Sequence, residues 1–184
     1  PGEKLRMFGE TEHVVVHPLE MERKISLFKD FKSLIKLILL FKKLNPEIVH
    51  GNTPKGGLLS MLASWFANVP FRIYYIHGLR FEGYSGIKGK MLEFIERFTC
   101  LLATDIFTVS FGVKENLLRT GITKKEVNVV ANGSINGIDA DYFCSKNVKE
   151  EGLLVKHQIT KNTLTFGFVG RLVGDKGINE LVAA

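Results

Sequence analysis

The chain has 184 residues, 45% of them hydrophobic, and carries 25 Lys and Arg against 19 Asp and Glu for a formal charge of +6. That balance supports a packed core and excludes a disordered chain, while the absence of any apolar run of 18 or more residues excludes a helical membrane span. Its two cysteines, Cys100 and Cys144, set no metal spacing and no disulfide framework, which fits a reducing, cytoplasmic setting.

From the N-terminus, Val14 to Val16 reads as a first strand. Residues 23 to 44 then repeat apolar side chains at helical spacing (Leu27, Phe28, Phe31, Leu34, Ile35, Ile38, Phe41) and stop at the breaker pair Asn45-Pro46. Strands are expected at Ile48 to His50, Phe71 to Ile76, Ile106 to Ser110 and Val127 to Ala131. Between them fall helices over 57 to 67, 88 to 103 and 113 to 118. The helix over 88 to 103 aligns Met91, Phe94, Ile95, Phe98, Leu101 and Leu102 on one stripe; Cys100 reads as core, and Glu93 and Glu96 as solvated partners of Lys90 and Arg97. Such alternation predicts an α/β fold with a doubly wound parallel sheet, its helices stacked on both faces by right-handed crossovers. Residues 145 to 162 turn polar and read as a passage between domains. A last strand at Leu164 to Val169 and a helix from Ile178 follow.

The chemistry-bearing residues sit at strand ends, where open α/β sheets place ligands. After the last strand, Gly170-Arg171-Leu172-Val173-Gly174-Asp175-Lys176-Gly177 joins glycines, two cations and a helix start. Close backbone approach, unpaired N–H groups and full positive charge suit a phosphate or diphosphate, although an ordinary strand-to-helix turn has the same composition. Neither the P-loop spacing nor a Gly-x-Gly-x-x-Gly fingerprint is present. His50-Gly51-Asn52-Thr53-Pro54-Lys55-Gly56-Gly57 is a second such turn, in which Thr53 can cap the helix and Lys55 can meet an anion. His77-Gly78 ends another strand, with Arg80 and Glu82 close behind as ligand contacts or as a solvated pair. Asn132-Gly133-Ser134 matches a glycosylation sequon but reads better as a turn at a strand end. No Gly-x-Ser-x-Gly elbow, His-Glu-x-x-His or CxxC pair supports hydrolase or zinc chemistry. The Phe residues are not interleaved with Arg and Lys as a stacking platform would need, so the positive charge is not expected to serve nucleic acid.

Gly170-Arg171-Leu172 with Lys176-Gly177, together with His50 to Gly57, Ile76 to Glu82, Val109-Ser110, Asn132-Gly133-Ser134 and Asn136 to Phe143, resembles the family 4 (group 1) retaining glycosyltransferases of the two-domain GT-B fold. The likeness covers roughly residues 12 to 184 and is greatest to bacterial members that extend undecaprenyl-diphosphate-linked sugars. It implies a Rossmann-like, incomplete acceptor domain over 1–147, a linker over 148–162 and the first βα unit of a donor domain over 163–184. It also implies an internal fragment, inactive alone, lacking the family's opening Gly-rich loop and its paired glutamates. The implied reaction moves a sugar from a nucleotide diphosphate sugar to a lipid-linked sugar acceptor with retention, in surface polysaccharide or glycan synthesis, without metal or other cofactor. In that reading His77, Arg171 and Lys176 are catalytic, and Gly170 and Gly177 join them on the donor. Asn52, Thr53, Lys55 and Arg80 contact the acceptor. Read from the residues, Lys24, Lys29, Lys32, Lys36, Lys42 and Lys43 beside the apolar stripe of the first helix, with Lys88 and Lys90 at the start of the third, suit an anionic membrane at its cytoplasmic face, although an ordinary core helix with a charged outer face has the same pattern. The alternatives are a sugar-nucleotide epimerase of the same fold and a non-catalytic partner subunit of a glycosyltransferase.

Overall fold

The computed structural model describes residues 2–22, 26–135, 137–144, 146, 151–160, 162–170, 172 and 176–183. These fall into two compact units, Pro1–Asn136 and Gly137–Ala184. The first unit runs α1 (Glu3–Thr11), α2 (Leu27–Leu44), β1 (Ile48–Asn52), α3 (Pro54–Phe66), β2 (Phe71–Ile76), a 3-10 turn (Arg80–Gly83), α4 (Gly86–Leu102), β3 (Asp105–Thr108), α5 (Phe111–Arg119) and β4 (Val127–Val129). The strands lie in the order β1-β2-β3-β4, all parallel, with Ile48 opposite Phe71, Ile73 opposite Asp105 and Ile106 opposite Val127. The α/β parallel architecture read from the sequence is therefore present.

Alternation along the strands divides their side chains between two faces. Val49, Tyr74, Ile76, Ile106 and Val127 share one core cluster with Met61 of α3, Cys100 of α4 and Leu117 of α5. All three crossover helices thus pack on the same face. Strands laid down in sequential order keep right-handed crossovers on one side, so the expectation of helices on both faces reaches beyond the described elements. The other face carries Ile48, His50, Phe71, Tyr75 and Phe107, with Ile48 and Phe71 exposed and Tyr75 buried.

In α2 and α4 the helical period is as expected, and part of each expected stripe is buried: Leu34, Ile38 and Phe41 of α2 and Phe98 of α4 pack partly buried against the core, and Leu102 and Cys100 are buried. Helix α2 buries Ser33 and Leu37 and exposes Phe28 and Phe31; α4 buries Gly89, Glu96, Thr99 and Cys100 and exposes Met91, Phe94 and Leu101. Helix α3 packs against both and buries the small Gly57, Ala63 and Ser64 beside Leu59 and Met61. Close helix approach favours small side chains over the largest apolar ones. A left-handed Asn45 (φ 47°) closes α2, its N–H donating to the Phe41 carbonyl at 2.8 Å. Lys125 closes α4, its Nζ donating to the carbonyls of Cys100 at 3.1 Å and Leu101 at 2.7 Å.

Glu96 is not a solvated charge, as expected from its neighbours, but a buried one. The Tyr74 hydroxyl donates to its Oε1 at 2.8 Å across the α4–β2 contact. Burial pushes the Glu96 carboxyl up, with the Tyr74 hydrogen bond opposing, and burial followed by the Glu96 charge pushes the Tyr74 hydroxyl up. A carboxyl raised in the fold binds more protons than in the unfolded chain, so stability falls as pH rises from the ordinary carboxylate pKa through the raised one. Glu96→Gln keeps an acceptor for Tyr74 and removes the charge. Its urea midpoint is expected to match wild type at acid pH and to exceed it at neutral pH; parallel curves across that window would refute the argument.

Two expected strands are not formed. Val14 to Val16 is irregular, with Val15 exposed and Val16 lying over Gly9 of α1, a helix the sequence reading did not anticipate. Leu164 to Val169, in the second unit, is also irregular, and Leu164, Phe166 and Val169 are exposed. Both runs have strand-like composition, yet neither has a ladder partner among the described residues, and backbone N–H and C=O groups define a strand only when paired. The second unit contains α6 (Glu151–Lys156) and α7 (Ile178–Ala183).

Candidate functional site

The carboxyl ends of β1, β2 and β3 carry three of the turns singled out above, and parallel pairing brings them side by side. Asn52 is opposite Tyr75, and Tyr75 opposite Phe107. His77, two residues past Tyr75, returns to the same face. The Asn52 Oδ1 and the His77 Nε2 lie 3.0 Å apart. An amide oxygen only accepts, so with Oδ1 toward the ring the His77 Nε2–H is the donor.

Tyr75 centres an aromatic group that sequence reasoning missed. Its ring stacks on Phe107 at 6.4 Å, with His77 at 5.4 Å and His50 at 5.6 Å. The available signal was alternation: His50-x-Asn52 and Tyr75-x-His77 place each pair on one face. His50 is exposed by area, yet partial desolvation holds its imidazole below the usual histidine range, and the neighbouring His77 acts in the same direction.

Thr53 joins β1 to α3 with φ 66°, a left-handed conformation that β-branched residues rarely adopt. It does not cap α3 with its side chain, contrary to the sequence expectation. The turn is instead held by the Gly57 N–H on the Thr53 carbonyl at 2.7 Å. At the end of β3, Ser110 does cap, its Oγ accepting from the Val113 N–H at 3.2 Å. The Asn132-Gly133-Ser134 turn folds onto that strand end, as expected. Ser134 N–H donates to the Val109 carbonyl at 2.6 Å, and a Cβ on Gly133 (φ 86°) would stand 2.6 Å from the same oxygen. Only glycine fits there.

Lys55 lies 2.5 Å from Asp30 and donates to the Glu22 carbonyl at 2.7 Å. Asp30 also accepts from the Ser26 N–H at 3.0 Å, so the pair clamps the start of α2 to α3. Both side chains are largely buried, and the Lys55 charge proposed for an anion is already balanced. Arg80, in the 3-10 turn, is exposed and enters no ion pair among the described residues. In the second unit, Gly177 (φ 70°) opens α7 and its carbonyl accepts from the Leu181 N–H at 2.9 Å. Gly170 and Lys176 are exposed, and Arg171 lies outside the described residues.

A family model described as "Glycosyl transferase 4-like domain" matches residues 2–133. The chain is 37% identical over 182 residues to the capsular polysaccharide biosynthesis glycosyltransferase CapM of Staphylococcus aureus, covering 98% of this chain and 47% of the relative. It is 31% identical over 156 residues to the UDP-Gal:alpha-D-GlcNAc-diphosphoundecaprenol alpha-1,3-galactosyltransferase of Escherichia coli, covering 82% of this chain and 38% of the relative. It is 30% identical over 147 residues to the alpha-maltose-1-phosphate synthase of Mycolicibacterium smegmatis, covering 74% and 36%. The chain thus spans about half the length of the first of these relatives and less of the other two. With the matched region containing the whole parallel sheet and the Asn52–His77 pair, the chain belongs to the glycosyl transferase 4-like domain family.

Proposed function

We propose that this chain serves a glycosyltransferase that moves a sugar from a nucleotide diphosphate sugar to a sugar hydroxyl on a lipid-linked acceptor, with retention, in the synthesis of a surface polysaccharide or glycan. The observation that carries the proposal is the Asn52–His77 pair at the carboxyl edge of the sheet, in the region matched to the family. The two relatives with the higher identity act in capsular polysaccharide synthesis and on a diphosphoundecaprenol-linked sugar, according to their names. Transfer of this kind develops negative charge on the departing diphosphate. Preorganised cations and backbone N–H groups stabilise such charge without a protein nucleophile. Arg171, Lys176 and the glycines Gly170 and Gly177 are assigned that role in this reading, and His77 the orientation of the donor. No metal is required in this scheme.

The test is transfer by the full-length protein from a panel of labelled nucleotide sugars to a polyprenyl-diphosphate-linked monosaccharide, with and without EDTA. The expected product keeps the donor's anomeric configuration by NMR and forms equally with chelator present. Epimerised nucleotide sugar with no lipid product would overturn the proposal in favour of an epimerase.

A peripheral place on the cytoplasmic face of a membrane is part of the proposal, and the surface of α2 supports contact with anionic lipid. Phe28, Phe31, Ile35 and Leu39 form an exposed apolar stripe at helical spacing, flanked by Lys32, Lys36, Lys42 and Lys43. No helix among the described residues is long and apolar enough to cross a bilayer. An interfacial helix needs only such a stripe with cations beside it, each worth about 1 kcal/mol near anionic lipid. The protein is expected to float with phosphatidylglycerol vesicles at low salt and to be released by high salt; equal flotation with neutral vesicles would contradict this reading.

A further inference from the structure

Between α2, α3 and α4 lies a cleft of about 210 Å³ whose walls include Leu27, Leu58, Leu59, Leu92 and Ile95. Two polar features border it. The Asp30–Lys55 ion pair forms part of one wall, and Arg80 reaches it from the 3-10 turn. We propose that this cleft holds the isoprenoid segment next to the diphosphate of a lipid-linked acceptor, with the diphosphate on Arg80. The inference rests on the transferase reading above and assigns the lipid end of its acceptor.

The walls argue against a sugar or a nucleotide base, whose hydroxyl and amide groups would be left without partners against leucine and isoleucine. The cleft is also smaller than the roughly 300 to 1,000 Å³ typical of small-molecule sites, which suits a short stretch of branched hydrocarbon. Charge selects the headgroup. Lys55 is neutralised by Asp30, so Arg80 brings the unbalanced charge, and a guanidinium takes two diphosphate oxygens at once. Position links the cleft to the chemistry. Arg80 is three residues past His77, and three residues span at most about 11 Å. Pro54 and Lys55, which also line the cleft, follow Asn52 almost directly. The cleft therefore opens at the same carboxyl end of the sheet as the Asn52–His77 pair, although the helices that line it pack on the other face. The remaining chain leaves past Leu27, itself 82% exposed and adjacent to the Phe28–Phe31 stripe proposed to meet the bilayer.

Farnesyl diphosphate and inorganic diphosphate, titrated separately into the full-length protein by calorimetry, are the paired probes. Farnesyl diphosphate is expected to bind at least tenfold more tightly. Leu92→Trp, which fills the cleft from α4, and Leu27→Asp, which places a negative charge at its exposed mouth, should each weaken farnesyl diphosphate tenfold or more, and Leu92→Trp should leave inorganic diphosphate unchanged. Arg80→Ala should weaken both. Leu27→Asp alters an exposed side chain, so it decides the question even where Leu92→Trp lowers the melting temperature. Equal affinity for the two probes, or wild-type farnesyl diphosphate binding by Leu27→Asp, overturns the proposal. Because binding needs no sugar transfer, a protein that passes this test but transfers no sugar refutes the transferase reading alone, and one that transfers sugar but fails here refutes the cleft alone.

Discussion

Gly57→Ala should cost the first unit about 2 to 6 kcal/mol, enough to remove a large share of the roughly 5 to 15 kcal/mol by which domains are stable. A Cβ at this position would stand 2.2 Å from Cε2 and 2.8 Å from Cδ2 of Tyr74. The ring has nowhere to retreat: Tyr74 is 1% exposed, and its hydroxyl is tied to the buried Glu96 at 2.8 Å. Overpacking a core costs about 1 to 3 kcal/mol, and swinging Tyr74 away would leave a buried carboxyl group without its donor for about 1 to 3 kcal/mol more. The neighbouring glycine is the control. A Cβ on Gly56 meets only Thr53 Oγ1, at 3.0 Å, and alanine is the better helix former, so Gly56→Ala should change stability by no more than about 0.5 kcal/mol. Thermal unfolding of the two variants should separate them by about 10 °C or more. Equal melting temperatures would show that the α3–β2 contact is looser than the geometry states.

These adjacent glycines also show how far the sequence can be read. Gly56 and Gly57 both look like turn residues after a strand, and only the position of the Tyr74 ring separates a permissive site from an obligatory one. The strands β1 to β4 were legible because each is a short apolar run bounded by Gly, Pro, Asn or Asp, and Phe71–Ile76 matches residue for residue. Which face of a helix is buried was legible only in part. In α4, Met91, Phe94 and Leu101 lie outside while Phe98 packs against the core and Leu102 and Cys100 are buried as expected, and Gly89, Thr99 and Glu96 join them inside where α3 comes close. Hydrophobic counting finds only part of the buried stripe when a neighbour selects for size over polarity. The same limit hid Glu96, whose burial depends on a tyrosine 22 residues away. Leu164 to Val169 failed for another reason: a strand is a property of two segments, and composition speaks for only one.

For the site, both Asn52 and His77 could be named from strand ends, but their pairing depends on register, since Asn52 opposite Tyr75 is what brings His77 within 3.0 Å. This pairing leads to the second large effect. His77→Ala in the full-length protein should lower kcat for sugar transfer about 100-fold to 1,000-fold, the usual cost of losing one positioned donor where charge develops, with little change in melting temperature because the side chain is exposed. Asn52→Ala leaves the imidazole in place but releases its Nε2 hydrogen bond, so a smaller loss is expected, and Asn52 is a positioning residue by this argument. A double-mutant cycle distinguishes positioning from a separate contact. If Asn52 acts through His77, Asn52→Ala should have almost no further effect on kcat in the His77→Ala background, whereas independent roles would multiply. His77→Ala activity within threefold of wild type would end the case for His77, and strictly multiplicative losses would end the case for the pair, leaving the 3.0 Å hydrogen bond a structural contact only.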